Sequence, residues 1–426
     1  MLNMKKIFIL SLLSISFLAC NTKNKDMESP TPKHLEGNGM VLDTRELDNY
    51  NGEITAKVTE TTAPADSYIV SVVNSDVLFY AANAGDYTIE ISKGDKKITN
   101  KITIYHQNTK PTKYITRVLE YMPAPGQFVN QLPEYKKGDT QETMNRKALE
   151  AIGGANRDAN TISLGAWGGY VIFGFDHSVR NIEGKADLRI DGNAFVSDGI
   201  GDNFGSKEIM EGSVEPGIVM VSYDKNNNGL ADDEWFEILG SGSVTLENES
   251  WLNFMRTNYP QTDLNIYRDY EMTYYRPKSE NPQDPNKYIE WSDNKNKKDF
   301  MPKNNYHEQP YYPLWIKSDK MTFKGVRLAN NMYRQNSGEG FYLQLAYKYG
   351  YVDNVPNNHK NNNIDISWAV DKNGKKVKLP YIDFVKVQTG VYGISHTLGE
   401  ISTEVLRAMD LHIAPATDIN SSEIVK

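Results

Sequence analysis

"GDYTIEISKGDKKITNKITI", residues 85–104, sets the reading of the whole chain. On both sides of "SKGDKK" the apolar residues fall at alternate places, as half-buried antiparallel strands joined by a turn require. "ITAKVTE", "SYIVSVV" and "VLFYAA" just upstream repeat the pattern, with another turn at "NAGD". Residues 36–106 therefore read as one small β-module, a spacer that carries no chemistry of its own.

The same texture extends downstream. "GGYVIFGFDH", "GIVMVSYD", "YEMTYYRP" and "YIDFVKVQTGV" are strand-like, and runs such as "IVMV" are apolar on both faces, as in strands covered by a second layer. The 26 Tyr and the Asn/Asp/Gly clusters between short apolar runs favour an all-β extracellular protein. Residues 161–412 are expected to form a larger β-sandwich, and 413–426 a tail. The connector, 107–160, holds one convincing helix, "DTQETMNRKALEAIGG". Asp139 or Thr140 can cap it, Met144, Ala148, Leu149 and Ile152 share a face, and Gly153-Gly154 ends it. Residues 276–313, polar and aromatic, read as a long inserted loop.

The N-terminus bears on the compartment. "MLNMKK" is basic, and the 13 residues Ile7–Ala19 carry no charge, the length of a signal-peptide core and too short to span a bilayer. Residues 1–19 then form a lipoprotein signal peptide, Cys20, the only cysteine, is the acylated first residue, and 20–35 form a flexible tether. The simpler alternative is an ordinary signal peptide with an incidental Cys. On the lipoprotein reading, no free thiol remains for disulfides, thiol catalysis or cysteine–metal chemistry. Removing Lys5 and Lys6 with the leader takes the net charge from −8 to −10, which argues against nucleic acid as a partner.

One loop has metal-binding spacing. In "YDKNNNGLADDEW", oxygen side chains stand at positions 1, 3 and 5 (Asp224, Asn226 and Asn228), Gly229 is at 6, the Leu230 carbonyl at 7 and Asp232 at 9. Such a hard-oxygen set suits Ca²⁺, in a structural role. Position 12 holds Trp235 where an EF-hand has Glu, so the set is closer to the calcium loops of extracellular modules. A polar turn is the plainer alternative.

Other groups carry weaker signals. Asp353-Asn354, Asp365 and Asp371-x-Asn373-Gly374 form a second acidic group, with "DKNGKK" reading first as a hairpin turn. Asp176-His177 reads as a structural pair. Glu400 and Glu404 are conceivable catalytic carboxylates, two among many acids. The seven His lack zinc spacing, and no nucleophile elbow, phosphate loop or dinucleotide fingerprint is present. Aromatic-rich segments, including "MYRQNSGEGFY", offer rings beside polar donors, which suits sugars or other flat polar ligands. The candidates are Tyr274, Tyr275, Trp291, Tyr311, Tyr312 and Trp315. The alternative is that these rings fill the seam between loops and sandwich.

"AGDYTIEISKGDKKITNKITI" resembles the last hairpin of PKD or Ig-like domains. Taken with "ISLGAWGGYVIFGFDHSV", "ADLRIDGNAF", "EPGIVMVSYDKNNNGLADDEWFEILGS", "YKYGYVDN", "IDISWAVDKNGKKVKLPYIDFVKVQTGV" and "LGEISTEV", the chain from 36 to 411 resembles a family of Bacteroidota surface lipoproteins labelled cell surface protein or PKD-domain protein. The resemblance implies a PKD-like module followed by a jelly-roll-like sandwich. It also implies a place at the outer membrane, facing the cell exterior, beside nutrient-uptake receptors of the TonB-dependent kind, some serving corrinoid (vitamin B12) uptake. The expected function is non-catalytic capture of a nutrient, either a corrinoid or a glycan. A structural or adhesive protein that binds another protein, and an extracellular polymer hydrolase, are the rivals.

Overall fold

A computed structural model describes residues 39–105, 111–155, 160–196, 209–335, 340–357, 359–395 and 399–413. The expected leader, Cys20 and the tether lie outside the described residues, as does all but the first residue of the tail. The all-β expectation holds, and two sandwiches follow one another along the chain.

The first contains six strands: β1 (Gly39–Leu42), β2 (Ile54–Thr61), β3 (Tyr68–Val73), β4 (Asp76–Ala81), β5 (Gly85–Lys93) and β6 (Lys96–Ile104). They form two sheets, in the orders β1-β4-β3 and β2-β5-β6. The stretch 85–104 is the β5–β6 hairpin, paired from Gly85↔Ile104 to Lys93↔Lys96. Tyr87, Ile89 and Ile91 point inward with Ile102 and Ile104, against Val77 and Phe79 of β4. The alternation in the sequence is thus the two-sided geometry of the pleat.

The larger unit is built on a seven-stranded antiparallel sheet. Its strands run in the order Ala369–Val370, Phe236–Ile238, Gly217–Ser222, Tyr381–Thr389, Tyr170–Arg180 and Arg117–Met122, with Tyr351–Val352 paired beside Gly217–Ser222. Val171, Phe173, Val219, Val221, Val385 and Val387 line one core. A three-stranded sheet, with Leu188–Asp191 between Asn363–Ile364 and Arg407–Asp410, contributes Leu188, Ile190, Ile364 and Ala408 to that same core.

Two expectations change in detail, and a third is made definite. The connector is part of the sandwich, because Arg117–Met122 pairs with Tyr170–Arg180 as an edge strand. Its partner is some fifty residues away, so no local turn announces the pairing. The insertion at 276–313 is partly sheet: Ile289–Asp293 and Lys298–Met301 form a hairpin that extends Tyr267–Tyr275. Its turn is organised by Asp293, whose Oδ1 accepts from the N–H groups of Lys295 and Lys297. The helix Gln141–Ile152 forms as expected, capped by Thr140, whose Oγ1 accepts from Thr143 N at 3.3 Å. Asp139 instead pairs with Lys147 at 2.5 Å.

The small module packs on the large one. Val73, Leu78 and Tyr80 belong to the main core cluster, and the Tyr80 ring meets Tyr381 at 6.3 Å.

Candidate functional site

A cavity of about 500 Å³ opens where several short elements converge. The loop 126–128, the strand Glu211–Ser213 with the residues after it, and the hairpin formed by Ile394–Ser395 and Gly399–Glu400 all reach it. Its polar wall includes the amides of Gln127, Asn193 and Gln344 and the hydroxyls of Ser213 and Ser402. Phe128, Tyr306, His307 and Met332 supply apolar surface. No lysine or arginine among the described residues lines it.

Acids occupy part of the remaining wall. Glu215, Glu400 and Glu404 face the cavity, and Asp353 lies behind them, fully buried. Glu215, Asp353 and Glu404 each offer a carboxylate oxygen within 4.8 Å of the others, the one such grouping of potential ligands among the described residues. Fully ionised, each pair at that separation would repel by about 3 kcal/mol at an effective dielectric near 20. No described ion pair involves any of the four acids. Burial, reinforced by neighbouring acids at Glu215 and Glu404, therefore favours their neutral forms. Burial pushes Asp353 up to about 7, against the pull of three backbone N–H donors. Burial also takes Glu400 up to about 7. Glu215 and Glu404 are raised well above the usual carboxylate range, by burial first and then by neighbouring acids.

The local fold fixes each group. Asp353 sits at φ 57°, a conformation that costs a non-glycine residue free energy. In return its Oδ1 accepts from Asn193 N and Ala194 N, both at 2.7 Å, and its Oδ2 from Glu404 N at 2.9 Å. A Cβ on Gly192 would lie 2.4 Å from that Oδ1, so only glycine leaves the carboxylate its place. Ser402 serves both glutamates: its N–H donates to Glu215 Oε1 at 3.1 Å and its hydroxyl to Glu404 Oε1 at 2.9 Å. Glu400 Oε1 accepts from Gln127 N at 2.7 Å, while its buried Oε2 has no hydrogen-bond partner.

Of the acids singled out in the sequence, Glu400 and Glu404 do share a cavity wall. Asp353 joins them, whereas Asp371 does not. Asp371 closes a turn, accepting from Asn373 N and Lys375 N. Glu215 was missed. It stands at the head of the quoted strand, and only the return of the chain at 353 and 404 gives it partners.

The six aromatic candidates line no part of this cavity. Tyr274, Tyr311 and Tyr312 are fully buried, and Trp291 and Trp315 nearly so. Tyr274 donates to Trp167 O, Tyr312 to Ser318 O, and Trp315 Nε1 to Gln141. Tyr275, half-buried, meets Ser292. Their faces are thus taken up by packing, because strands cover what reads as loop. The segment "MYRQNSGEGFY" behaves differently. Tyr333, Arg334 and Tyr342 border an open hollow of about 390 Å³ with Tyr259.

The 224–232 loop is exposed and wound on itself. Asp224 accepts from Asn228 N and Gly229 N, and Asn228 Oδ1 from Leu230 N. Asp232 accepts from the amides of Asn226 and Asn228. Burial, then the charges of Asp232 and Asp224, raise the pKa of Asp233, which places these acids close together without the convergence seen at Glu215. The winding fits a cation loop whose positions are bridged by amides, and it equally fits a polar turn.

No protein-family model matches the chain, and no curated protein matches it.

Proposed function

We propose that this protein is a lipid-anchored surface protein of the outer membrane that holds a small hydroxyl-rich ligand, a glycan fragment, without transforming it. The observation that carries the reading is the cavity wall, where amides and hydroxyls lie beside aromatic and thioether surface with no basic side chain among the described residues. Sugars need this mixture of directional hydrogen bonds and apolar contact. A volume of about 500 Å³ falls within the span of small-molecule sites. It suits one or two sugar rings and favours them over a corrinoid, which is too bulky to be enclosed there. Ca²⁺ in the 224–232 loop serves as a staple, and a TonB-dependent receptor is the partner that would take the cargo onward.

Glycan-fragment binding to the purified protein, measured by calorimetry, tests the proposal. Saturable binding is expected, and Asn193→Ala or Gln344→Ala should weaken it about tenfold, the equivalent of one good hydrogen bond. Absence of binding across a broad glycan pool, or binding untouched by both substitutions, would overturn it.

A hydrolase is the second reading, favoured by Glu400. A carboxyl pushed up to about 7 and facing a cavity that also holds Glu215 and Glu404 suits a general acid. Shortened products in the same incubation would select it over capture.

A further inference from the structure

We infer that Glu215, Asp353 and Glu404 hold a divalent cation in the wall of the cavity, at a site separate from the 224–232 loop. Three carboxylates from segments far apart in sequence bring oxygen atoms within 4.8 Å of one another. Buried acids gathered this closely require protons, basic partners or a metal. Basic partners are missing from the described wall.

A second observation points the same way. Glu400 is 5 % exposed and faces the same cavity. Its Oε1 is held by Gln127 N–H, but its Oε2 has no hydrogen-bond partner. A buried carboxylate oxygen left without a donor calls for a partner. It is suited to a cation, or to a water molecule that the cation carries.

The supporting bonds are those of a prepared site. Backbone N–H groups orient Asp353 from two directions, and Ser402 orients Glu215 and Glu404 together. Outer hydrogen bonds of this kind fix metal-binding side chains before the ion arrives. All the ligands are oxygen, so the ion is a hard one, Ca²⁺ in preference to Zn²⁺. Glu215 is only partly covered, so the open side of the ion faces the cavity. This last step rests on the cavity being the ligand site, and there the ion would meet the hydroxyls of the cargo.

The test uses Ca²⁺ alone. The purified protein is stripped with EDTA and titrated by calorimetry at neutral pH, in an Asp224→Ala background that silences the loop. Saturable binding is expected, and adding the isosteric Glu215→Gln should weaken it at least about tenfold. If circular dichroism shows that Glu215→Gln has not folded, Glu400→Gln is read in its place with the same expectation. No binding in the Asp224→Ala protein, or binding unaltered by the glutamine substitutions in folded protein, overturns the inference. Ca²⁺ binding without any glycan binding would remove the proposed cargo and leave the ion site standing. Glycan binding that is indifferent to EDTA and to Glu215→Gln would do the reverse.

Discussion

His177 stands between two carboxylates, its Nδ1 2.7 Å from Asp176 Oδ1 and its Nε2 2.8 Å from Asp410 Oδ2. Burial by itself would lower the imidazolium's pKa; the hydrogen bonds and charges of Asp410 and Asp176 outweigh it and raise the value. A raised folded-state value means that this stabilisation is complete below the unfolded value of about 6.5 and is lost as pH rises through the folded one. His177→Ala should therefore cost roughly 2–4 kcal/mol at pH 6, because it takes away the partner of Asp410 Oδ2 and leaves that carboxylate only the His412 N–H, and less at pH 9. Urea unfolding at the two pH values measures this, and an equal loss at both would refute the charged-pair account. The Asp176-His177 half of the triad is visible in the sequence because the two residues are adjacent. Asp410 is not, since it lies on a strand of the other sheet and meets the histidine only where the two sheets come together. The acid cluster follows the same rule: Glu400 and Glu404 lie close in sequence and could be nominated, but Glu215 gains its meaning only from folding.

At the scale of elements, the 224–232 loop does more than connect two strands. Lys225 pairs with Asp76 at 2.8 Å, Tyr223 donates to Asp76 Oδ2 at 2.9 Å, and Asn74 donates to Glu234 at 3.1 Å. The loop is thus the seat of the β3–β4 turn, a two-residue hairpin in which Asn74 and Ser75 both adopt positive φ. A cation that stiffens the loop would stiffen this joint as well. At about a hundredfold excess over its dissociation constant it would contribute about 2.7 kcal/mol, roughly 2–4 °C in Tm for a unit of this size. Asp224→Ala should remove that share of the Ca²⁺-dependent rise and leave the melting point in EDTA little changed. An identical rise in the variant, followed by differential scanning calorimetry, would reduce the loop to a turn. Strand periodicity made β5, β6 and the central strands legible, because each buries one or both faces in a regular way. The aromatic strand Tyr267–Tyr275 and its hairpin partner at 289–301 were legible only in part. Tyr and Trp at alternate places look the same on an open ligand face as against a second sheet, and only tertiary cover distinguishes the two.

Over the whole molecule, the small module is not an arm that holds the larger one away from a surface. Tyr80, Val73 and Leu78 enter the main core, and the Cβ position of Gly39, at the start of β1, abuts the ring of Tyr381. A chain arriving from an anchor upstream would therefore join the protein at the seam between its two sandwiches, and the cavity would keep a fixed relation to that point. The expectation of an acylated Cys20 rests on the sequence alone, from the basic start, the uncharged run and the small residue before the cysteine. It has an unusually clean readout, because the chain contains a single cysteine. If Cys20 carries the lipid, the membrane-bound protein should show no reactive thiol even after unfolding in denaturant, and Cys20→Ser should move it from the membrane fraction to the soluble one. One free thiol per chain on a soluble wild-type protein, or a Cys20→Ser protein that stays with the membrane, would contradict the anchor. The first outcome would point to an ordinary leader, and the second to attachment through a partner protein.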